Sequence, residues 1–340
     1  VDRFGLELAV AYEAYAQGSE PLLPPLEHTY ADFVRWQSEL LASAEGARLR
    51  SYWKQQLANA PNAIGWRGDR ARPAQRTERG GSIPIRISPH ASAALRQLAQ
   101  AQNTTLYTVL LGAYCALLHA ESGDEDIVIA TPTLGRSAAA FRGLVGYFVN
   151  TVPLRVRLTH ALTFEELIGQ LRVAVLAALD HQDFPYALIV EDFQPERQSA
   201  HFPLCQVLFQ LHGFRPDARV SEVARTHGRD AQARLGDLTG TSIELQRNVS
   251  QFELAVELHE FTHHIAGTLS YSADLWAPAS AQHLADELIR LVELFARDPS
   301  SRVSSAATRD MAPQRTTFEP QAWPRPLVLG ANIQATRNSP

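Results

Sequence analysis

Among the residues able to do chemistry, His259-Glu-Phe-Thr-His263 is the first to weigh, because it spells the His-Glu-x-x-His pattern of zinc proteases. That chemistry requires a helix, where residues four apart project both imidazoles onto one face. Here the motif falls where two stretches of period-two alternation meet, residues 252–258 and 265–271, so it is expected to span a hairpin turn. On a strand, residues 259 and 263 stand about 13 Å apart at roughly 3.3 Å per residue, too far to share an ion. His264 does not complete the set, and no metal ligand is assigned.

His181 and Asp183 are a second candidate, as a base and its orienting carboxylate. Asp183 is only two residues on, however, and an aspartate in a turn equally accepts backbone N–H groups and fixes the loop, which is the favoured reading. Arg136 follows Gly135 at the end of an apolar strand, a position from which it could reach the carboxylate of another segment or lie solvated. Asn150 and Thr151 interrupt the apolar run of Val145-Gly-Tyr-Phe-Val-Asn-Thr-Val-Pro-Leu-Arg155 with side chains that need hydrogen-bond partners. Asp32, three residues before Arg35, is either a helix-surface pair or an anchor, and Trp36 beside it reads as core. No Gly-x-Ser-x-Gly elbow, Walker loop or dinucleotide glycine fingerprint is present.

These residues need elements to hold them. Apolar positions at helical spacing predict a helix from about Leu6 to Gly18, then an extended connector at Pro21-Leu-Leu-Pro-Pro-Leu26 and a helix over residues 30–57. Residues 63–81, rich in Arg, Gly and Pro, read as a linker. Strands and helices then alternate. A strand at 82–87 precedes a helix capped by Ser88-Pro89, and a strongly apolar helix covers 104–118. A strand at 126–130 leads through the Thr-Pro-Thr-Leu-Gly-Arg turn into the strand 145–155. The capping box Thr163-Phe-Glu-Glu166 opens a helix to about Leu179, where Pro185 stops further propagation. A strand at 203–211, an exposed loop at 215–240, a short strand at Ile243, the hairpin, and an amphipathic helix over 279–296 complete the chain. Residues 306–340 read as a linker or disordered tail.

With 45% apolar and 20% charged residues among 340, the composition is that of a globular chain with a substantial core. A formal charge of -5 gives no electrostatic reason to expect nucleic acid or an anionic membrane as partner. Two cysteines in apolar surroundings, Cys115 and Cys205, fit a reducing interior, and no apolar run is long enough to span a bilayer, so a cytoplasmic location is expected. The first residue is Val and the only methionine is Met311, so the chain is expected to be a piece of a longer polypeptide.

Four motifs taken together carry a family likeness: Tyr30-Ala-Asp-Phe-Val-Arg-Trp36, Thr131-Pro-Thr-Leu-Gly-Arg136, the run from Val145 to Arg155, and His181-Gln-Asp-Phe-Pro-Tyr186. In that order they resemble the motif series of condensation domains from nonribosomal peptide synthetases, over residues 1 to about 305. The resemblance implies an α/β (α+β sandwich) fold of the chloramphenicol-acetyltransferase type, made of two lobes around a tunnel. Residues 1–62 would be a remnant of the N-terminal lobe with two helices, 63–81 the inter-lobe linker, and 82–305 a complete C-terminal lobe.

It further implies that the parent protein joins a donor acyl thioester and an acceptor aminoacyl thioester through an amide bond. No cofactor is bound directly; the substrates ride on phosphopantetheine arms of upstream and downstream peptidyl carrier proteins, beside an adenylation domain. The family's His-His-x-x-x-Asp-Gly signature is absent, so the catalytic histidine is expected upstream of Val1 and none of these residues is catalytic. The tunnel and structural positions carried over are Tyr30, Asp32, Trp36, Thr131, Pro132, Gly135, Arg136, Gly146, Phe148, Asn150, Thr151, His181, Gln182, Asp183, Pro185, Pro203 and Leu204. In the family the aspartate of the signature pairs with the arginine that matches Arg136. Residues 197–204 depart from the family pattern, which there usually has Asp, Ser and Arg, while Pro203 and Leu204 match. An epimerisation, starter-type or other acyltransferase relative, a non-catalytic carrier-docking module and a zinc peptidase are the alternatives.

Overall fold

The structure, a computed structural model, describes residues 2–66, 68–193, 202, 204–213, 232–235, 238–241 and 248–306. Pro203, the short strand expected at Ile243, and the tail beyond residue 306 lie outside the described residues. The helices are α1 (Asp2–Ala16), α2 (Tyr30–Ala42), α3 (Ala44–Gln56), α4 (Pro89–Ala101), α5 (Leu106–Ser122), α6 (Phe164–Asp180), α7 (Tyr186–Phe193) and α8 (Pro278–Arg297). The strands are β1 (Gly80–Ile87), β2 (Asp126–Thr133), β3 (Asn150–Arg157), β4 (Val207–His212), β5 (Gln232–Leu235), β6 (Leu238–Thr241), β7 (Leu254–Glu260) and β8 (Ile265–Ser272).

Six strands form one mixed sheet in the order β1-β8-β7-β4-β2-β3, the α/β architecture expected. The two pairings made by β4, with β2 and with β7, are parallel, and the rest are antiparallel. Each edge strand carries a proline, Pro84 in β1 and Pro153 in β3, where the missing N–H costs no ladder bond on the open side. Phe209 of β4 and Leu258 of β7 face Leu110 of α5 and Leu288 and Val292 of α8, so the helices cover that side of the sheet. Residues 108–119 of α5 are all buried, as befits a helix apolar all round. Phe164 and Phe295 stack with ring centroids 3.9 Å apart, joining α6 to α8.

Several elements differ from the sequence expectation. The helix expected over 30–57 is two helices, broken at Ser43, which is extended and accepts from the N–H groups of Glu45 and Gly46. A Cβ on Gly46 would lie 2.5 Å from the Leu40 carbonyl oxygen, so the corner is also sterically tight. Residues 1–62 therefore hold three helices rather than two. The strand expected at 145–155 begins only at Asn150, because residues 145–149 leave the sheet to pack against α2. The strand expected at 203–211 starts at Val207, after Leu204 with φ +65°. The exposed loop at 215–240 contains the β5–β6 hairpin.

The linker at 63–81 is pinned. Trp66 is buried against Trp276 and donates to Glu253 at 2.8 Å, and Arg72 grips the same carboxylate at 2.9 Å through two nitrogens. Asp69 accepts from Ala277 N at 2.7 Å and from the Ser280 hydroxyl at 2.9 Å, capping the start of α8, which lacks a side-chain cap of its own.

Candidate functional site

Asn150 opens β3 opposite Thr133. Its Nδ2 donates to the carbonyls of Gln182 at 2.8 Å and Phe184 at 2.9 Å, and its Oδ1 accepts from the N–H of Tyr186 at 3.0 Å. One half-buried amide thus fixes the whole turn between α6 and α7. Only a side chain with both donors and an acceptor meets these demands, which excludes aspartate. Pro185 does more than stop α6: its carbonyl accepts from Leu188 and Ile189 and so starts α7.

His181 is the C-cap of α6. Its Nδ1 lies 2.7 Å from the Ala177 carbonyl and its Nε2 2.7 Å from Nη1 of Arg48. Because arginine only donates, Nε2 is the acceptor and Nδ1 carries the proton. The ring stacks on Tyr52 at 3.6 Å, and Trp53 Nε1 donates to the His181 carbonyl at 3.1 Å, binding α3 to the turn. Asp183 points elsewhere and accepts from the Ser137 hydroxyl at 2.7 Å. His181 and Asp183 are not a base–carboxylate couple; each anchors a different neighbour.

Across the site, Gly135 has φ +60°, and a Cβ there would fall 1.7 Å from the Phe148 carbonyl oxygen, so only glycine fits. That turn lays Arg136 over Phe148, its guanidinium carbon 4.0 Å from the ring centroid, with Nη1 donating to the Phe141 carbonyl at 2.7 Å. Partial burial lowers the guanidinium pKa from its ordinary value. The sequence expectation that Arg136 could reach a carboxylate is met by carbonyls instead: it pairs with no acid among the described residues.

Phe148 is buried with Phe33, Phe141 and Leu144, and Trp36 packs on their edge. Tyr30 donates to the Tyr147 carbonyl at 2.6 Å, while a Cβ on Gly146 would sit 2.6 Å from the Tyr30 ring. Asp32 completes a capping box with Thr29 and also pairs with Arg35. Thr131 is buried, donating to the Phe209 carbonyl at 2.7 Å and bonded to the Tyr107 hydroxyl at 2.6 Å. Thr151 faces Pro132 across the β2–β3 ladder, and Leu204 is buried at its positive φ.

Sequence patterning marks Tyr52 and Trp53 only as the buried side of a helix, and Arg48 and Ser137 not at all. Only the spacing of Arg48 and Tyr52, one helical turn apart, hinted at a shared face. Arg155 was likewise not singled out. Its side chain is 7% exposed, pairs with Asp126 at 2.6 Å, and donates to the carbonyls of Gln56, Ala58 and Asn59 at the end of α3.

The arrangement positions segments. Both cysteines are buried, and desolvation pushes the Cys205 thiol up to about 12 and raises that of Cys115 too. The His-Glu-x-x-His pattern is on no helix: His259 and Glu260 are the last two residues of β7, the Phe261 N–H closes the turn onto the His264 carbonyl at 2.9 Å, and Glu260 pairs with Arg96 at 2.8 Å. No helix among the described residues is long and apolar enough to cross a membrane.

A family model for the condensation domain matches residues 4–316. Malpibaldin synthetase of Mortierella alpina is 36% identical over 279 residues, 82% of this chain and 5% of that protein. The dimodular nonribosomal peptide synthase of Bacillus subtilis is 33% identical over 304 residues, 88% of this chain and 12% of that protein. The chain therefore spans a small part of the relatives it matches. Among solved structures, the X-domain from teicoplanin biosynthesis superposes with a TM-score of 0.76 at 26% identity, covering 89% of this chain and 67% of that one. A four-domain nonribosomal peptide synthetase superposes with a TM-score of 0.79 at 24% identity, covering 89% of this chain and 23% of that one. With the mixed sheet, the Asn150 clamp and the Gly135–Arg136 turn all falling inside the matched span, the chain belongs to the condensation-domain family of nonribosomal peptide synthetases, with its chloramphenicol-acetyltransferase-like fold.

Proposed function

We propose that these residues are the downstream part of a condensation domain whose parent synthetase joins a donor acyl thioester to an acceptor aminoacyl thioester. Residues 82–305 form its C-terminal lobe, and residues 1–62 belong to the other lobe. Both substrates arrive on phosphopantetheine arms of peptidyl carrier proteins, with an adenylation domain as neighbour. A thioester is already activated, so catalysis rests on aligning the amine with the carbonyl and excluding water. The amine nitrogen attacks the carbonyl carbon, a C–N bond forms, the C–S bond breaks, and the ammonium proton passes by way of a base to the leaving sulfur, so that the donor arm departs as its thiol. That base is the histidine of the signature, which these 340 residues do not contain.

The observation that carries this reading is Arg136: a half-buried cation, laid on Phe148, with carbonyl partners and no acid among the described residues. Such a group is suited to receive a carboxylate from another segment, as the signature aspartate would supply. The test is amide formation by the full synthetase carrying Arg136→Ala, followed by mass spectrometry of carrier-bound product. At least a tenfold loss is expected with carrier loading unchanged; an unaltered rate would remove the support. The isolated 340-residue chain is expected to form no amide.

A second reading, a docking module without chemistry, draws on the exposed apolar side chains Leu134, Val145, Tyr147 and Val149 beside the site. A solved structure similar to this chain at 26% identity pairs the X-domain with OxyB. Wild-type rates in the Arg136→Ala synthetase, together with NMR shifts at Tyr147 on titrating loaded carrier, would favour it.

A further inference from the structure

The parallel pairing of β4 with β7 sets His212 directly beside His259. Phe209 and Leu258 face the helices, so alternation sends His212, Glu257 and His259 out of the opposite face. The two imidazoles stack with centroids 4.5 Å apart and planes 11° from parallel. Glu257 Oε1 lies 3.1 Å from Nε2 of His212 and 3.7 Å from Nε2 of His259. One donor atom from each of the three residues fits within a 4.8 Å span.

We propose that His212, Glu257 and His259 bind a divalent transition-metal ion of the zinc class. With metal–ligand bonds of about 2.0–2.2 Å, tetrahedral donors stand about 3.3–3.6 Å apart, a spacing that the two separations between Glu257 and the histidines bracket. Two imidazoles and one carboxylate suit zinc and its neighbours, whereas magnesium and calcium prefer all-oxygen sites. Three protein donors leave one coordination position for water or another ligand. Two neighbouring strands supply the ligands, so the sheet register fixes their spacing. His259 is 4% exposed, which shields the site on that side.

This site is separate from the His-Glu-x-x-His pattern, of which it uses only His259. Glu260 turns to Arg96, and His263 lies in the hairpin turn. The sequence signal is a Glu-x-His pair on a strand plus a histidine nearly fifty residues upstream, and only the pairing of the two strands connects them.

The experiment is a titration of the purified 340-residue chain with cobalt(II), followed by displacement with zinc, reading the visible d–d absorption. Saturation at one equivalent is expected, with at least tenfold weaker binding in His212→Ala and in Glu257→Gln and no change in His263→Ala. The two half-exposed ligands carry the test because His259 is buried, and circular dichroism confirms that each variant is folded. Zinc is also expected to raise the melting temperature of the wild-type chain and not that of His212→Ala. Absence of a saturable band would overturn the proposal, as would a band that survives both ligand substitutions or disappears in His263→Ala.

Discussion

The main core and the small aromatic cluster at α2 use the same kinds of side chain, yet they are held in different ways. In the main core, α5 is enclosed by α4, α6, α8 and the sheet, and any one residue is backed by many neighbours. The small cluster has four buried members, Phe33, Phe141, Leu144 and Phe148, drawn from segments more than a hundred residues apart. Its geometry depends on single bonds and tight fits: the Tyr30 hydroxyl, Gly146 under the Tyr30 ring, and Gly135 under the Phe148 carbonyl. The large core decides whether the lobe folds; the small cluster decides where Arg136 and the 145–149 segment lie.

The strongest test of that division is Phe164→Ala. Phe164 is fully buried and stacked on Phe295, so its loss should lower stability by about 3–5 kcal/mol in a urea titration. A loss below about 1 kcal/mol would mean the core is far more plastic than its packing implies. Asn150→Ala comes next, at about 2–4 kcal/mol, because three hydrogen bonds vanish and the backbone groups of residues 182–186 lose their partner. Amide exchange should accelerate in that loop first; uniform acceleration across the sheet would merge the two regions into one.

Phe33→Ala should cost about 2 kcal/mol, less than a core phenylalanine because the cluster is small and its edge is open. Its signature is local: faster amide exchange around residues 136–148, with β7 and β8 unchanged. The smallest effect is one of pH. The backbone N–H of Thr29, then its hydroxyl, then Arg35 hold the Asp32 carboxyl at about 2, below its usual 3.8. A depressed folded pKa means the cap's contribution is present above about 4 and fades as pH falls towards 2. A carboxyl-carbon NMR titration of Asp32 checks this, and a midpoint near 3.8 would show that the cap does not persist in solution.

Much of the framework was legible because local rules set it. Thr163 with Glu166, and Ser88 with Pro89, start their helices where capping chemistry says they should. Period-two alternation located the β7–β8 hairpin and so removed the zinc-protease reading of residues 259–263. Elsewhere the same rules misled. The apolar stripe through residues 30–57 hid the corner at Ser43, which depends on a cap and on Gly46 fitting against Leu40. The β-prone run at 145–149 left the sheet because Tyr30 and Phe33 offered Phe148 a better-packed place.

The sequence alone determined most element types, through capping, periodicity and turn chemistry that act over a few residues, and it carried the motif series that marks the family and with it the α/β class. Tertiary structure decided what those residues touch. It gave Asn150 a loop to clamp, put Arg136 on Phe148 with no acid beside it among the described residues, and brought His212 to Glu257 and His259. Those meetings join segments from about a dozen to nearly fifty residues apart. Strand pairing and helix packing create them, and no local preference specifies them.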